Sequence, residues 1–242
     1  MNATIARLTV RTLLGRRRAL LLLLLPAVLL AVAGGVRWAQ GEQTSSAVGV
    51  LGGFGLGTLV PLLGLLAGTA AIGTEIDDGS IVYLLSKPLS RPTIVRTKLV
   101  VASATAIVLS AVPTLIAGFV LLGTTDRIAV AYAVAATVAS ITYCAGFLLL
   151  AVVTRNAVVI GLIYALVWET VIGGYVPGAQ ALSVQQWSTA LAERIVGAKA
   201  AQDGVTAAVS LGTAVPLLLA VLIGSTWYAG RRLRSIRLTG DD

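Results

Sequence analysis

The sequence of 242 residues contains no histidine, a single cysteine at Cys144 and few charged side chains. Without histidine, the chain lacks the commonest metal ligand and proton shuttle of proteins. One cysteine can form neither a disulfide within the chain nor a cysteine metal cluster. We therefore expect no metal site, and we find no pairing of a nucleophile with a base that would indicate an intramembrane enzyme.

The low charge content indicates a membrane protein. Charged residues make up 12% of the chain and hydrophobic residues 57%, whereas about a quarter of the residues in a soluble domain are charged. The net charge of +8 does not indicate nucleic-acid binding, because a basic excess in a membrane protein sets its orientation and attracts anionic lipid. We expect the partner surface to be the lipid bilayer, and no nucleic acid.

Six apolar runs are long enough to cross a bilayer, which takes about 20 mostly apolar residues in a helix. They cover residues 19–36, 47–73, 99–123, 128–153, 157–176 and 205–229. The fifth run follows a short break at residues 154–156, the least defined of the boundaries. The sequence thus predicts an all-α membrane protein with one transmembrane domain over residues 1–242, six transmembrane helices and no nucleotide-binding domain.

The basic residues are unevenly distributed between the two sides that these spans define. All but four of the 18 Lys and Arg residues fall on the side of the termini and the loop 74–98. The exceptions are Arg37, Arg127, Arg194 and Lys199. Because basic residues concentrate on the cytoplasmic side of membrane proteins, we expect both termini and this loop to be cytoplasmic.

The N-terminal segment has two interpretations. Ile5, Leu8 and Thr12 recur at helical spacing within residues 2–15, which predicts an amphipathic helix lying at the membrane interface before the first span. The basic and apolar stretch that follows, with Ala-Val-Ala at residues 31–33, also fits a cleaved signal peptide. Whether this segment is processed stays open.

The second span contains glycines at Gly49, Gly53 and Gly57, four residues apart. They leave one face of the helix almost bare, and small residues allow transmembrane helices to approach closely. This pattern predicts helix packing. It does not distinguish packing within one subunit from a subunit interface or the lining of a translocation pathway.

A charged block, "GTEIDDGSIVYLLSKPLSRPTIVRTKLV" at residues 73–100, separates the second and third apolar runs. A short helix is expected over residues 80–87, with acidic residues before its N-terminus. Its apolar face is formed by Ile81, Leu84 and Leu85, its last residue is the cation Lys87, and Pro88 stops it. An apolar stripe with charged flanks suits docking on a soluble partner; a helix lying on lipid is the alternative.

These residues resemble the integral-membrane permeases of the ABC-2 type, the membrane subunits of bacterial ABC exporters. The resemblance is carried by Glu75 at the end of the second span, Gly79 before "IVYLL", and "SKPLSR" with Lys98 before the third span. It extends over nearly the whole chain through the six-span layout. The stretch "WETVIGGYVPGAQALSVQQW" at residues 168–187 is similar to the fifth-span exit of actinobacterial members.

The resemblance implies an exporter subunit in the bacterial cytoplasmic membrane that pairs with a second copy or a homologous permease. The short helix would be the coupling helix that inserts into a separate ATPase subunit. The residues implied at that contact are Glu75, Gly79, Ile81, Leu84, Leu85, Lys87, Pro88 and Arg91. The chain contains no G-x-x-x-x-G-K-[ST] phosphate loop. ATP and Mg²⁺ are therefore expected on the partner ATPase, with no cofactor on this chain.

Two other functions are open from the residues alone. A proton-coupled or ion-coupled secondary transporter needs an ionisable residue at membrane depth, and Glu169 in the fifth span is the candidate. Its carboxylate has two interpretations. In the first it bonds within the bundle or reaches the outer surface, and in the second it contacts substrate in the pathway. A non-catalytic membrane scaffold would need no docking segment. The sequence does not specify a substrate.

The polar segment 178–204 before the last span contains "VQQWSTALAERIVGAKAA", which predicts an external helix. Trp187, Leu191 and Ile195 share one face of it. We expect this helix to cap the outer mouth or to lie among the headgroups, with Trp187 as an interfacial anchor.

Overall fold

The computed structural model describes Thr9 and residues 15–77, 91–123, 127–173, 176 and 178–235. All regular secondary structure in these residues is helical, which confirms the all-α prediction. The helices are α1 (Arg16–Gln40), α2 (Thr44–Val48, the π-helical Gly49–Leu59 and Val60–Asp77), α3 (Arg91–Leu122), α4 (Arg127–Val153), α5 (Ala157–Ile163 and the π-helical Tyr164–Ile172), α6 (Val184–Val196) and α7 (Leu211–Ser235). Short 3₁₀ turns, Ala179–Leu182 and Gly197–Lys199, flank α6.

Five helices of the described chain are long and apolar enough to cross a membrane. The segments are Leu22–Gln40, Thr44–Gly73, Thr93–Leu122, Arg127–Val153 and Leu211–Leu233. The predicted fifth span corresponds to α5, whose apolar helix Ala157–Ile172 is shorter. At 1.5 Å per residue this helix is about 24 Å long, against roughly 30 Å for a hydrocarbon core. The sixth span stays a prediction.

Two helix boundaries differ from the apolar runs. Helix α3 begins at Arg91, eight residues before its apolar run, as predicted by Ser90 as a cap and Pro92 in the first turn. Helix α7 begins at Leu211 rather than at residue 205. The backbone N–H groups of Ala207 and Ala208 donate to the side chains of Glu193 and Gln186 on α6, and this pairing holds the preceding segment out of the helix.

Helix α4 is the centre of the bundle. It packs against α2, α3, α6 and α7, and its buried residues run from Ile128 to Val152. The α3 contact is close because Gly118 has no side chain: a Cβ there would lie 2.5 Å from that of Ala129. The hydroxyls of Ser110 and Ser140 share a hydrogen bond of 2.7 Å across the same contact. Small residues thus bring α3 and α4 together.

The outward faces of the peripheral helices are apolar, as a lipid-facing surface requires. Leu23 on α1, Ile163 on α5 and Ile223 on α7 are among the large exposed hydrophobic residues. Trp38 and Trp227 are exposed towards the ends of α1 and α7, where aromatic residues mark membrane–water interfaces. The surface of the described helices is therefore suited to a bilayer.

Two predicted helices cannot be compared with the structure. The interfacial helix over residues 2–15 and the short helix over residues 80–87 lie outside the described residues, apart from Thr9 and Gly15. Both stay predictions.

Candidate functional site

Glu169 is completely buried near the end of α5 and accepts four hydrogen bonds. The hydroxyl of Tyr164 donates at 2.7 Å and that of Ser183 at 2.5 Å. The backbone N–H groups of Val184 and Gln185 donate at 3.1 and 3.3 Å. An unpaired carboxylate would be strongly penalised at such a position. These four donors replace the hydrogen bonds that water would give to an exposed carboxylate.

The same carboxylate occupies the N-terminal end of α6. Ser183 is the N-cap of this helix, and its hydroxyl oxygen accepts from the N–H of Gln186. The first N–H groups of a helix have no partner within the helix, and the helix dipole makes this end favourable for a negative charge. Glu169 therefore fixes the start of α6 to the end of α5. We call Glu169, Tyr164, Ser183 and the first turn of α6 the α5–α6 junction.

The glycine-rich part of α2 contacts the α5–α6 junction. Pro61 has no N–H to donate, and the carbonyl of Gly57, four residues before it, accepts from the hydroxyl of Thr170 on α5 at 3.2 Å. The side-chain amide of Gln185 donates to the carbonyl of Gly52 at 3.0 Å. A Cβ on Gly57 would lie 3.0 Å from the Gln185 amide nitrogen. The missing side chain at Gly57 thus makes room for the amide.

A further hydroxyl lies near the Glu169 carboxylate. Tyr143 on α4 is buried and lies within electrostatic range of Glu169. Helix α4, which packs against α6, therefore also borders the α5–α6 junction.

Lys98 is a second ionisable residue inside the bundle. It is completely buried on α3, and its Nζ donates to the backbone carbonyl of Ala71 on α2. Its neighbours one turn away along α3, Val95 and Ala102, are buried in the same apolar cluster as Ala71. The sequence placed Lys98 only before the third span. The sequence signal for its burial was its position on an apolar helix face, four residues before Ala102.

The structure describes two of the residues that the sequence proposed for ATPase coupling. Glu75 lies in the last turns of α2, and Arg91 is the first residue of α3. The others, Gly79, Ile81, Leu84, Leu85, Lys87 and Pro88, lie outside the described residues. Their contact with an ATPase stays a prediction.

The three glycines proposed for helix packing have different surroundings. Gly57 faces Gln185, as described above. A Cβ on Gly49 or on Gly53 would have no heavy atom within 4 Å, and both residues are exposed. Their role in packing against another helix stays a prediction.

The interpretation of Trp187 as an interfacial anchor is wrong. Trp187 is 5% exposed, and its indole N–H donates to the carbonyl of Ala181 at 2.8 Å. Helix α6 packs against α4 and α7 rather than lying apart from the bundle. These contacts bury the face of α6 that carries Trp187.

The apolar helices and buried polar junctions define a multi-pass integral-membrane protein. The family described as ABC-2 family transporter protein matches residues 4–225, and the chain belongs to that family. It is a membrane permease of an ABC transporter. No curated protein sequence matches the chain.

Proposed function

We propose that the chain is the permease subunit of an ABC exporter, that it forms the substrate pathway, and that a separate ATPase drives it. The family match over residues 4–225 is the observation that carries this proposal. Helices α2 and α3 pack against each other and contain the two ends of the segment 74–98, on which the ATPase docks. ATP and Mg²⁺ bind to the partner subunit. Within this chain, the ATPase cycle drives movement of helices and no covalent chemistry.

The proposed topology has six spans in one transmembrane domain, with α5 as the fifth span. The apolar part of α5 alone is shorter than a hydrocarbon core, but α6 docks on its outer end through Glu169. Together, α5 and α6 span the thickness of the hydrocarbon core. Both termini lie in the cytoplasm of a bacterial cell, which the distribution of Lys and Arg supports.

Two permease copies, or one copy and a homologous permease, enclose the pathway. Gly49 and Gly53 support this pairing, because they are exposed and leave an open strip on α2. The exposed apolar residues of α5, such as Val167 and Val171, lie on the helix that contacts this part of α2. A second subunit could therefore approach the backbone of α2 closely there.

Glu169 has a structural role in this proposal. A carboxylate that contacts substrate or carries protons needs access from a pathway, whereas Glu169 is completely buried and accepts four hydrogen bonds. Its bonds to α6 favour the function of holding the outer helix in place. This geometry supports the permease over the proton-coupled transporter.

The test is isolation of the tagged chain from its native membranes in mild detergent. We expect an ATPase with a phosphate loop to co-purify, and the complex to hydrolyse ATP in a vanadate-sensitive reaction. Isolation without any ATPase, together with transport driven by a proton gradient, would overturn the proposal in favour of a secondary transporter.

A further inference from the structure

Lys98 and Ala71 lie at matching depths on the two helices that lead to the docking loop. Ala71 is six residues before the end of α2 at Asp77, and Lys98 is seven residues after the start of α3 at Arg91. At 1.5 Å per residue, the two positions are about 9 and about 10 Å from those ends. The hydrogen bond from Lys98 to the Ala71 carbonyl therefore joins the helices at one level.

The position offers a hydrogen-bond acceptor but is costly for a charge. The carbonyl oxygen of Ala71 accepts a hydrogen bond from Nζ of Lys98. Yet Lys98 is completely buried beside an apolar cluster that includes Val95 and Ala102. An apolar side chain of similar length would fill the space without desolvating a charge. An ionisable residue retained at such a site points to a role beyond filling space.

The surrounding contacts explain what the ammonium adds. The apolar cluster around the bond includes Ala67, Ala70, Ala71 and Ile72 on α2, and Val95, Leu99 and Ala102 on α3. Apolar contacts hold two helices together but are non-directional. A charge-assisted hydrogen bond to one carbonyl has a defined direction and length. It opposes sliding of α2 along α3.

We propose that Lys98 is a positioning residue that joins α2 to α3, so that the two helices flanking residues 78–90 move as one body. This inference rests on the proposed function, in which an ATPase displaces that segment. A displacement of the loop is then passed to both helices. Without the Lys98–Ala71 contact, part of the displacement is absorbed as sliding between them.

The first experiment measures the distance between α2 and α3 in the full chain, in lipid nanodiscs and without an ATPase. Spin labels are placed at Gly73 on α2 and Val100 on α3, in a background with Cys144→Ala. A Cβ at Gly73 meets no heavy atom closer than 3.8 Å, and Val100 is 49% exposed. Double electron–electron resonance is recorded for the parent, Lys98→Met and Lys98→Arg.

We expect one narrow distance distribution in the parent and in Lys98→Arg, which retains a donor and the charge. Lys98→Met should show a second population or a clear broadening, because the methionine packs without bonding to Ala71. A distribution in Lys98→Met identical to that of the parent would overturn the proposal. So would failure of Lys98→Arg to restore the narrow distribution.

A control label pair separates this effect from general loosening of the fold. Ser45 at the start of α2 and Gln202 before α7 are both exposed and lie at the other end of the bundle. Their distance should be the same in the parent and in Lys98→Met. Broadening of both label pairs would show a general loss of packing and would also overturn the proposal.

The second experiment uses the complex with its ATPase. Lys98→Met should keep the ATPase bound while permease-dependent ATP hydrolysis falls, and Lys98→Arg should recover that hydrolysis. Loss of ATPase binding in Lys98→Met would contradict a role in passing movement. If the distance measurements agree with the Lys98–Ala71 contact but the parent binds no ATPase, the proposed function fails and the structural part of this inference stands.

Discussion

The hydroxyl of Ser183 donates a hydrogen bond to the carboxylate of Glu169, fourteen residues earlier in the chain. Ser183 is also the N-cap of α6, so one side chain joins the end of α5 to the beginning of α6. The polar segment before the last span is thereby built into the bundle. A buried carboxylate in this family member serves as the attachment point of α6.

Replacement of Glu169 by glutamine should destabilise the protein. Glutamine has a similar shape, but its amide nitrogen replaces one of the two carboxylate oxygens and faces the N–H of either Val184 or Gln185. That buried donor then loses its acceptor. Such a loss costs about 1–3 kcal/mol. We expect a lower midpoint of thermal unfolding in detergent.

The matched control is Glu42→Gln. Glu42 is exposed and forms a surface ion pair with Arg37, and exposed ion pairs contribute roughly 0–1 kcal/mol. Its variant should unfold close to the parent temperature. Equal midpoints for Glu169→Gln and the parent would contradict the role of the α5–α6 junction.

Substitution by leucine should have different effects at Gly53 and at Gly68 of α2. Gly53→Leu adds a side chain where no heavy atom lies within 4 Å, so the subunit should fold and only its pairing should weaken. Gly68→Leu places a Cβ 2.9 Å from the carbonyl oxygen of Cys144 on α4. Overpacking of this kind costs on the order of 1–3 kcal/mol.

Cross-linking in membranes, together with unfolding of the purified subunit, measures both effects. Gly68→Leu should lower the unfolding temperature, whereas Gly53→Leu should lower only the yield of cross-linked pairs. Unchanged pairing in Gly53→Leu would leave the open strip of α2 as a lipid-facing surface.

Cysteine labelling in whole cells tests the orientation. Single cysteines are placed at Ser86 in the docking loop and at Gln202, which is exposed before α7, in a background with Cys144→Ala. Because the basic residues lie mainly on the side of the loop, an impermeant maleimide should label position 202 and not position 86. Ser183 is unsuitable as the external site because it is completely buried. Labelling of position 86 from outside would reverse the topology.

The sequence predicted the helical class and most spans because these depend on local composition. A run of about 20 apolar residues has few alternatives to a transmembrane helix. The start of α3 at Arg91 also followed from local signals, Ser90 before it and Pro92 in its first turn. The start of α7 was less predictable, because it depends on bonds from Ala207 and Ala208 to a distant helix.

The contacts of the site could not be predicted because their partners are far apart in the chain. Glu169 was identified as an ionisable residue in a span, but its donors on α6 are 14 to 16 residues away. The acceptor of Lys98 is 27 residues away. Local periodicity carries no information on pairs that are so far apart in the chain. It also placed Trp187 on an apolar face of α6, but it could not show that α4 and α7 cover that face.

The central claim is that residues 80–87 dock on a separate ATPase, and Leu84→Asp tests it most directly. If Ile81, Leu84 and Leu85 occupy an apolar groove, a carboxylate at position 84 becomes an unpaired buried charge, which is strongly penalised. Residue 84 lies outside every predicted span, so membrane insertion should be unaffected. Val82→Asp is the matched control, because residues two apart point about 160° from each other on a helix.

The decisive measurement is co-purification of the ATPase with each variant, together with permease-dependent ATP hydrolysis by the complex. We expect Leu84→Asp to lose most of the co-purifying ATPase and most of the permease-dependent hydrolysis. Val82→Asp should keep most of the bound ATPase and of the hydrolysis. Co-purification and hydrolysis at the parent level in Leu84→Asp would contradict the docking of this segment on an ATPase.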